Sequence, residues 1–370
     1  MEKKVVVWIT FKAFLDTDLY VVKELKKFYK IDWYIIRSEN DKFEYLDVLE
    51  KMNNQDDLTV NLHICGRRLR KVECISFYRT MLAEIREKTP NIIFTSMAGA
   101  PYFIPVLALS ISCENVIMAI HNVHVPKGGS AYYFFKLYNQ LTVKHFKHFF
   151  VYSKSQYRDL KIMASDKDIA YAPFILKDYG KANNKRTSEL VSFLNFGNVR
   201  DYKRLDVLIS AAQKAYEKTG IKFRVIIAGK CENWEKYQQN IKYDFLFDIR
   251  IGRVENSEVA NLFNECDYFV APYQDIAQSG SSVVAINYGK PIIASKLPAF
   301  EEYIDDGRTG FLIRPANMED LTKVMSDILN QKSLDYHKMV DNLKKSREYY
   351  FSTTAIVKKY REFFDNVIQE

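Results

Sequence analysis

The residues best suited to chemistry lie in a loop of small polar residues, 278–282. The loop follows an apolar, β-prone run, Tyr268–Ala271, which Pro272 ends, and it precedes a helix predicted over 281–288 that Gly289 closes. A helix begins with unpaired N–H groups and a partial positive charge, and glycine and serine let an anion approach the backbone. The loop is therefore interpreted either as a phosphate site or as a plain strand-to-helix connection capped by a serine.

Two other loops in the second half of the chain carry residues that suit a phosphorylated ligand. Residues 197–204 follow an apolar strand and include Arg200 and Lys203, whose charges can bind phosphate oxygens. Residues 251–256 follow another short predicted strand. Because the carboxyl ends of parallel strands lie on one edge of a sheet, we expect both loops to converge with 278–282. Together they predict a diphosphate site.

In the first half of the chain, a histidine stands where a ligand could be reached. His121 follows an apolar strand predicted over 115–120, and ligands of open parallel sheets collect at the carboxyl ends of strands. The same histidine could instead satisfy local backbone carbonyls, and both interpretations stay open. No G-x-G-x-x-G follows the first strand, so the fingerprint of a dinucleotide site is absent.

The alternation of strands and helices sets the expected fold class. Apolar runs of strand length alternate with amphipathic helices, which predicts α/β domains with doubly wound parallel sheets. A chain of 370 residues is too long for one ordinary core, so two domains are expected. The polar segment 177–189 has no apolar period and is predicted to link them.

Composition narrows the class of protein and its partners. The chain has 48% hydrophobic and 27% charged residues, as globular proteins do. Its net charge of +8 lies mostly in the first half and favours an anionic partner. The five scattered cysteines indicate reduced thiols, and no His/Cys cluster predicts a metal site. The amino terminus has no signal-peptide pattern, so a cytoplasmic protein is expected.

Two stretches raise the question of a membrane. Residues 91–126 carry a single charge, Glu114, but glycine and prolines break the stretch. A strand, a loop, a helix and a strand explain it better than a membrane span. Residues 125–161 interleave basic and aromatic side chains, which suits either an anionic membrane surface or a core-facing helix followed by a strand.

Four ordered blocks in the second half resemble the family 4 (group 1) glycosyltransferases. They span about residues 190–330 and read FGNVRDYKRLDVLISAA, IGRVENSEVANLFNECDYFVAPY, GKPIIAS and EEYIDDGRTGFLIRPANMEDL. The resemblance implies the GT-B fold, in which two doubly wound Rossmann-like domains face each other across a cleft and the C-terminal helix crosses back to the first domain. It implies an acceptor-side domain at 1–178, joined by the helix 351–370, and a nucleotide-sugar donor domain at 189–348.

The resemblance also implies an activity. Members of this family are retaining enzymes that use nucleotide-sugar donors and need neither a metal ion nor another cofactor. We therefore expect a hexosyltransferase that uses a UDP- or GDP-linked sugar and acts on a glycan or lipid-linked acceptor in surface polysaccharide synthesis. It would work in the cytoplasm, peripherally on an anionic membrane surface, with no nucleic acid as a partner. The alternative is a catalytically degenerate GT-B protein that acts as a partner or regulatory subunit.

The resemblance assigns roles to individual residues. Lys203 matches the lysine on the donor diphosphate, Arg200 supplies a second positive charge, and His121 matches the histidine near the transferred sugar. These three are the expected catalytic residues. A pair of glutamates in the family would fall near Ile276 and Val284, neither of which is acidic, so an altered donor site is expected. The expected donor-binding residues are Gly197, Asn198, Arg253, Val254, Glu258, Asp275, Gln278, Ser279, Gly280 and Ser281.

Overall fold

The apolar runs along the chain form strands that alternate with helices, as the sequence pattern predicts. The structure is a computed structural model that describes residues 3–39, 45–53, 57–96, 100–123, 132–184, 189–276, 278–331 and 335–369. The chain divides into two units. The first is Met1–Ile175 with Thr353–Glu370, and the second is Leu176–Ser352.

The first unit contains a parallel sheet. In chain order, its described elements before the second unit are β1 (Val5–Phe11), α1 (Leu15–Leu25), β2 (Lys30–Ser38), α2 (Leu46–Met52), β3 (Leu58–Cys65), α3 (Cys74–Glu87), β4 (Ile92–Ser96), α4 (Phe103–Ser110), β5 (Val116–Ile120), α5 (Tyr132–His145), β6 (His148–Val151), α6 (Lys154–Met163) and β7 (Asp168–Tyr171). The strand order in the described residues is β3-β2-β1-β4-β5-β6-β7. The chain thus winds outward from β1 in both directions, which is the doubly wound arrangement.

The second unit repeats this plan with a smaller sheet. Its described elements are β8 (Ser192–Phe196), α7 (Leu205–Thr219), β9 (Arg224–Gly229), α8 (Glu235–Gln238), β10 (Phe247–Ile251), α9 (Asn256–Asn264), β11 (Tyr268–Ala271), α10 (Gly280–Asn287), β12 (Ile292–Ser295), α11 (Pro298–Glu301), β13 (Gly310–Ile313), α12 (Met318–Leu329) and α13 (Tyr336–Tyr350). The strand order is β10-β9-β8-β11-β12-β13. All paired strands are parallel, so the predicted α/β class with two parallel sheets is confirmed.

The last helix, α14 (Thr353–Gln369), belongs to the first unit, as predicted for the C-terminal helix. Its apolar face packs on the sheet among large aromatic side chains. Tyr360 stacks on Phe150 with ring centroids 4.2 Å apart, and Phe364 lies 5.8 Å from Phe94. Burying several aromatic rings contributes enough hydrophobic free energy to hold the chain end on this unit.

The segment that was predicted to be a linker packs on the second unit in its described part, 177–184. The N–H of Tyr179 donates to Tyr288 Oη at 3.0 Å, and the N–H of Asn183 donates to Asn261 Oδ1 at 2.8 Å. Residues 185–188 lie outside the described residues. Hydroxyl and amide side chains hold this polar backbone, and such contacts leave no apolar period in the sequence.

The two stretches that raised the question of a membrane are partly described. In the first, β4, α4 and β5 appear where a strand, a helix and a strand were predicted. No helix among the described residues combines the length and the apolar character needed to cross a bilayer. In the second, 125–131 lie outside the described residues. Phe149 and Phe150 are buried, as the core-facing interpretation predicts, whereas Tyr133 is 83% exposed.

Candidate functional site

Two adjacent strands of the second sheet, β8 and β11, deliver the loops 197–204 and 272–279 to the same edge. The two loops are tied together by hydrogen bonds. The N–H of Gln274 donates to the carbonyl oxygen of Tyr202 at 2.7 Å, and Arg204 Nη1 donates to Gln274 Oε1 at 2.9 Å. The loop that carries Lys203 is therefore held at a set position beside the segment that leads into α10.

The loop 197–204 begins with a close approach of two backbones. The N–H of Gly197 donates to the carbonyl oxygen of Ala228 at 2.9 Å. At Gly229, the last residue of β9, φ is +140°, and an added Cβ would lie 2.3 Å from the carbonyl oxygen of Gly197. Only glycine satisfies both conditions. The path of the loop thus depends on a glycine of the neighbouring strand.

Helix α10 starts beside this loop with a serine cap. Ser279 Oγ accepts a hydrogen bond from the N–H of Ser282 at 3.2 Å and lies 2.7 Å from Ser282 Oγ. The prediction of a hydroxyl cap in 278–282 is confirmed. Because the first turn of a helix carries unpaired N–H groups and a partial positive charge, the start of α10 suits an anion.

The loops line an open cavity of about 390 Å³ within the second unit. Basic side chains, small residues at the start of α10 and aromatic rings line it. The structure brings eight of the predicted site residues together around the cavity: Gly197, Asn198, Arg200, Lys203, Gln278, Ser279, Gly280 and Ser281.

Lys203 is the most deeply buried cation of this cavity, with 8% of its surface exposed. Its Nζ lies 3.2 Å from the position that a Cβ on Gly197 would take, and 5.7 Å from the centre of the Tyr273 ring. Burial lowers the pKa of Lys203, and the nearby charge of Arg200 lowers it further. Among the residues that the structure describes, no carboxylate forms an ion pair with it. A buried ammonium of this kind is suited to an anionic ligand.

Arg200 lines the same cavity but remains accessible. Its Nη1 lies 3.3 Å from Glu232 Oε1, and both side chains are more than half exposed. Exposed ion pairs contribute little free energy, so a ligand with phosphate groups can compete for the guanidinium.

Four predicted donor-binding residues do not line this cavity: Arg253, Val254, Glu258 and Asp275. Arg253 Nε lies 3.4 Å from Glu255 Oε1, and Glu258 and Asp275 are exposed. The strand order explains the separation of the loop 251–256. Its strand, β10, is the edge strand and lies two strands from β8, which is about 10 Å.

Several residues that line the cavity were not predicted from the sequence. Tyr202 and Tyr273 adjoin predicted loop residues, so their aromatic character was a usable signal. Ile276 and Val284, near which the resemblance to the family predicts glutamates, contribute apolar surface here. No signal pointed to Lys177, which was placed in the linker. The unassigned lining residues are Lys177, Tyr179, Phe196, Tyr202, Tyr273, Ile276 and Val284.

His121 lies in the first unit, directly after β5. Its ring stacks on that of Phe14, with centroids 3.8 Å apart and an interplanar angle of 4°, and its centroid lies 4.5 Å from that of Tyr152. Nε2 lies 3.4 Å from Ser96 Oγ. These contacts fix the orientation of the imidazole. Its role near a transferred sugar stays a prediction.

Metal-ligating side chains are not grouped in the described part of the chain. No set of three or more His, Cys, Asp or Glu side chains in the described ranges is arranged to hold an ion.

Comparison with known proteins shows what the second unit resembles in sequence. A family model for glycosyl transferases group 1 matches residues 177–346. An uncharacterized glycosyltransferase of Methanocaldococcus jannaschii is 26% identical over 133 residues, which is 36% of each chain. An uncharacterized 41.2 kDa protein of the cps region of Klebsiella pneumoniae is 27% identical over 154 residues, which is 41% of this chain and 40% of that protein. The chain thus spans less than half the length of either relative.

Solved structures share the fold over nearly the whole chain. Sucrose-phosphate synthase from Thermosynechococcus elongatus has a TM-score of 0.78 at 12% identity and covers 99% of this chain and 100% of that one. A glycosyltransferase from Rickettsia africae has a TM-score of 0.75 at 15% identity and covers 100% of both. HepE from Anabaena, in complex with UDP, has a TM-score of 0.71 at 14% identity, and the match covers 98% of this chain and 100% of HepE. The chain thus has the GT-B fold, and its residues 177–346 match the model of the group 1 glycosyltransferases.

Proposed function

We propose that this chain is a retaining hexosyltransferase. It moves a sugar from a UDP- or GDP-linked donor to a glycan or lipid-linked acceptor in surface polysaccharide synthesis. The observation that carries the proposal is the buried Lys203 in a cavity that also holds the start of α10. Two sources of positive charge at the carboxyl ends of adjacent parallel strands suit the diphosphate of such a donor. The UDP bound to HepE supports a UDP-linked donor.

The spacing of the loops suits the two ends of a nucleotide. In this proposal the diphosphate occupies the cavity, where Lys203 and Ser279 bind its oxygens. The base and ribose extend toward the loop 251–256, so that Arg253 and Glu258 hold them. The distance of about 10 Å between β8 and β10 is of the order of a nucleoside diphosphate's length. Under this arrangement, residues outside the cavity keep their predicted role in donor binding.

The proposed reaction forms one bond and breaks another on the same face of the sugar. The bond between the anomeric carbon and the distal phosphate oxygen breaks, and the acceptor oxygen bonds to that carbon. The departing phosphate oxygen takes the proton of the acceptor hydroxyl. Lys203, Arg200 and the start of α10 stabilise the negative charge that develops on the leaving diphosphate. His121 lies near the transferred sugar in this scheme.

We propose that the reaction needs no metal ion. In many phosphoryl and glycosyl transfers, a divalent cation neutralises the leaving diphosphate. Here, two basic side chains and a helix N-terminus occupy one cavity and can supply that neutralisation. The proposal therefore assigns the role of the metal to protein groups.

A thermal-shift screen tests the proposed function directly. The protein is heated with UDP, GDP, ADP or CDP, each with and without EDTA. A nucleotide at a hundred times its dissociation constant should stabilise the protein by about 2.7 kcal/mol, which gives a clear shift in Tm. If the nucleotide of one base raises Tm, and EDTA does not change this rise, the result supports a metal-independent donor site. A shift that EDTA removes contradicts the metal-independence.

The same screen decides for or against the second candidate function. Apolar Ile276 and Val284 line the cavity near the places where the resemblance predicts glutamates, and this favours a GT-B protein that has lost catalysis. Such a protein would act as a partner or regulatory subunit. The absence of a shift with all four nucleotides would contradict the proposed enzyme and favour this alternative.

One helix of the first unit supports a peripheral position on a membrane. On α5, Tyr133, Leu137 and Leu141 are exposed and stand four residues apart, so they share one helix face. Lys136 and Lys144 lie on the same helix, whose sequence contains no acidic residue. We propose that α5 contacts the anionic inner surface of a membrane, with the apolar face inserted and the lysines near the phosphates.

Vesicle binding should reveal this contact and its dependence on charge. The protein should bind vesicles that contain anionic lipid, and the binding should fall steeply between about 0.05 and 0.5 M salt because screening shortens the range of the attraction. Leu137→Asp should weaken binding without unfolding the protein, since Leu137 is exposed. Equal binding to neutral vesicles, or binding that salt does not change, would contradict the proposal.

A further inference from the structure

A second lysine reaches the same cavity from outside the matched loops. Lys177 is the second residue of the second unit, and its side chain lines the cavity with Lys203 and Arg200. Its Nζ lies 4.0 Å from the position that a Cβ on Gly280 would take. Gly280 is the first residue of α10. Lys177 is therefore the cation beside the positive end of that helix.

The two lysines occupy different sides of the cavity. Lys203 Nζ is close to Gly197, in the loop after β8, whereas Lys177 Nζ is close to Gly280, at the start of α10. The two sides lie near each other, since Ser281 Oγ is 4.0 Å from the position of a Cβ on Gly197. At Gly197 the missing side chain leaves space for the Lys203 ammonium, whereas at Gly280 the Lys177 ammonium lies at van der Waals distance from the position of a Cβ. A ligand with two linked phosphates can contact one lysine with each phosphate.

The backbone on both sides of Lys177 is fixed to the second unit. Leu176 packs against the core cluster of that unit. The N–H of Tyr179 donates to Tyr288 Oη, and the same hydroxyl lies 3.1 Å from the carbonyl oxygen of Gly180. A lysine on a fixed segment loses less conformational entropy when it binds a ligand than a lysine on a free linker. Lys177 is thus preorganised for binding.

Electrostatics indicate what the cavity accepts. Three basic side chains and the positive end of α10 converge in one cavity, and Lys203 among them is nine-tenths buried. Positive charges in one cavity repel one another, and a ligand with several negative charges relieves that repulsion, most of all at the buried Lys203. A nucleoside monophosphate whose phosphate binds Lys203 would have no second phosphate to contact Lys177 beside α10.

We infer that Lys177 is a third phosphate-binding cation of this cavity and that it binds the distal phosphate of the nucleoside diphosphate, an inference that rests on the proposed function. The distal phosphate is the one that carries the sugar and departs from it. Lys177 therefore stabilises the leaving group, together with the N–H groups at the start of α10. The segment that connects the two units supplies a residue of the donor site.

The test compares a diphosphate with a monophosphate of the same base. Titrations measure the affinities of the wild-type protein and Lys177→Ala for UDP and UMP, or for the corresponding pair of the base that the thermal screen selects. Lys177→Ala should weaken UDP binding at least tenfold and change UMP binding less than twofold. Lys177→Arg should restore most of the UDP affinity. Lys181→Ala is the matched control, because Lys181 is exposed on the same segment and does not line the cavity. It should change neither affinity.

Each other outcome has a defined meaning. Unchanged UDP affinity in Lys177→Ala, with wild-type protein that binds UDP, overturns the inference and leaves the proposed function standing. Equal losses for UDP and UMP also overturn it, since they show a general structural effect. If the wild-type protein binds none of the four nucleoside diphosphates, the proposed function itself fails and the inference falls with it. Circular dichroism of each variant establishes that the fold is intact before the titrations.

Discussion

Replacement of Lys203 by alanine is expected to weaken the binding of UDP by about 2 kcal/mol or more, roughly thirtyfold. The reason is the loss of charge-assisted hydrogen bonds in a partly desolvated cavity, where Lys203 is 8% exposed. Calorimetric titration of the wild-type protein and the variant measures the effect, with the matching nucleoside diphosphate if the thermal screen selects another base. Unchanged affinity would remove Lys203 from the diphosphate site.

A variant in the first unit provides the contrast. His121→Ala should lower turnover strongly and change UDP affinity little, because His121 is expected near the transferred sugar rather than the diphosphate. Turnover equal to that of the wild-type protein would show that the stacking of His121 on Phe14 and Tyr152 is structural only.

The pH dependence of binding gives a second check on Lys203. Burial lowers its pKa, so its charge is lost at a lower pH than that of an exposed lysine. UDP affinity should fall as pH rises through this lowered pKa, and the step should be absent in Lys203→Ala.

Gly229→Ala is the substitution expected to damage the second unit most. The new Cβ would lie 2.3 Å from the carbonyl oxygen of Gly197 and would stand on a residue with φ of +140°. Backbone strain and the displacement of the neighbouring loop should together lower the free energy of unfolding by about 3 kcal/mol or more. For a unit of this size, that corresponds to a fall in Tm of roughly 6–12 °C. Calorimetric scans measure it.

Gly252→Ala is the matched control for this prediction. Gly252 has a similar φ of +151°, but no heavy atom lies within 4 Å of the position of its Cβ. It should therefore show only the backbone cost, about 1–3 kcal/mol. Equal losses of stability in the two variants would mean that the contact between Gly229 and Gly197 adds nothing.

At a concentration of UDP that saturates the wild-type protein, Gly229→Ala should also bind less UDP, because the moved loop carries Lys203.

The local elements of the fold could be predicted from the sequence because their signals are local. Apolar runs such as those of β8 and β11 have the length of buried strands, and the small residues after β11 precede a helix that starts at Gly280. Ser279 was predicted as a candidate cap for the same reason, since a cap depends on residues only three positions away. Eight of the predicted site residues reach one cavity because their loops follow adjacent strands.

The strand order could not be read from the chain. The edge position of β10 separates Arg253 from the cavity, although its loop follows a strand just as the other two loops do. Strand order results from long-range pairing, in which each strand selects its neighbours through hydrogen bonds and side-chain packing. No short stretch of sequence records that choice.

The sequence by itself thus determined the α/β class, the three loops and the cations Lys203 and Arg200, because strand length, capping and charge are properties of neighbouring residues. Only the tertiary structure decided that Lys177 joins the cavity and that Gly229 supports the loop of Lys203. Lys177 reaches the start of α10 because its polar segment folds onto Tyr288 and Asn261, through contacts that span 109 and 78 residues of the chain. Such contacts form when segments that are distant in the chain pack together, and no local pattern of residues predicts them.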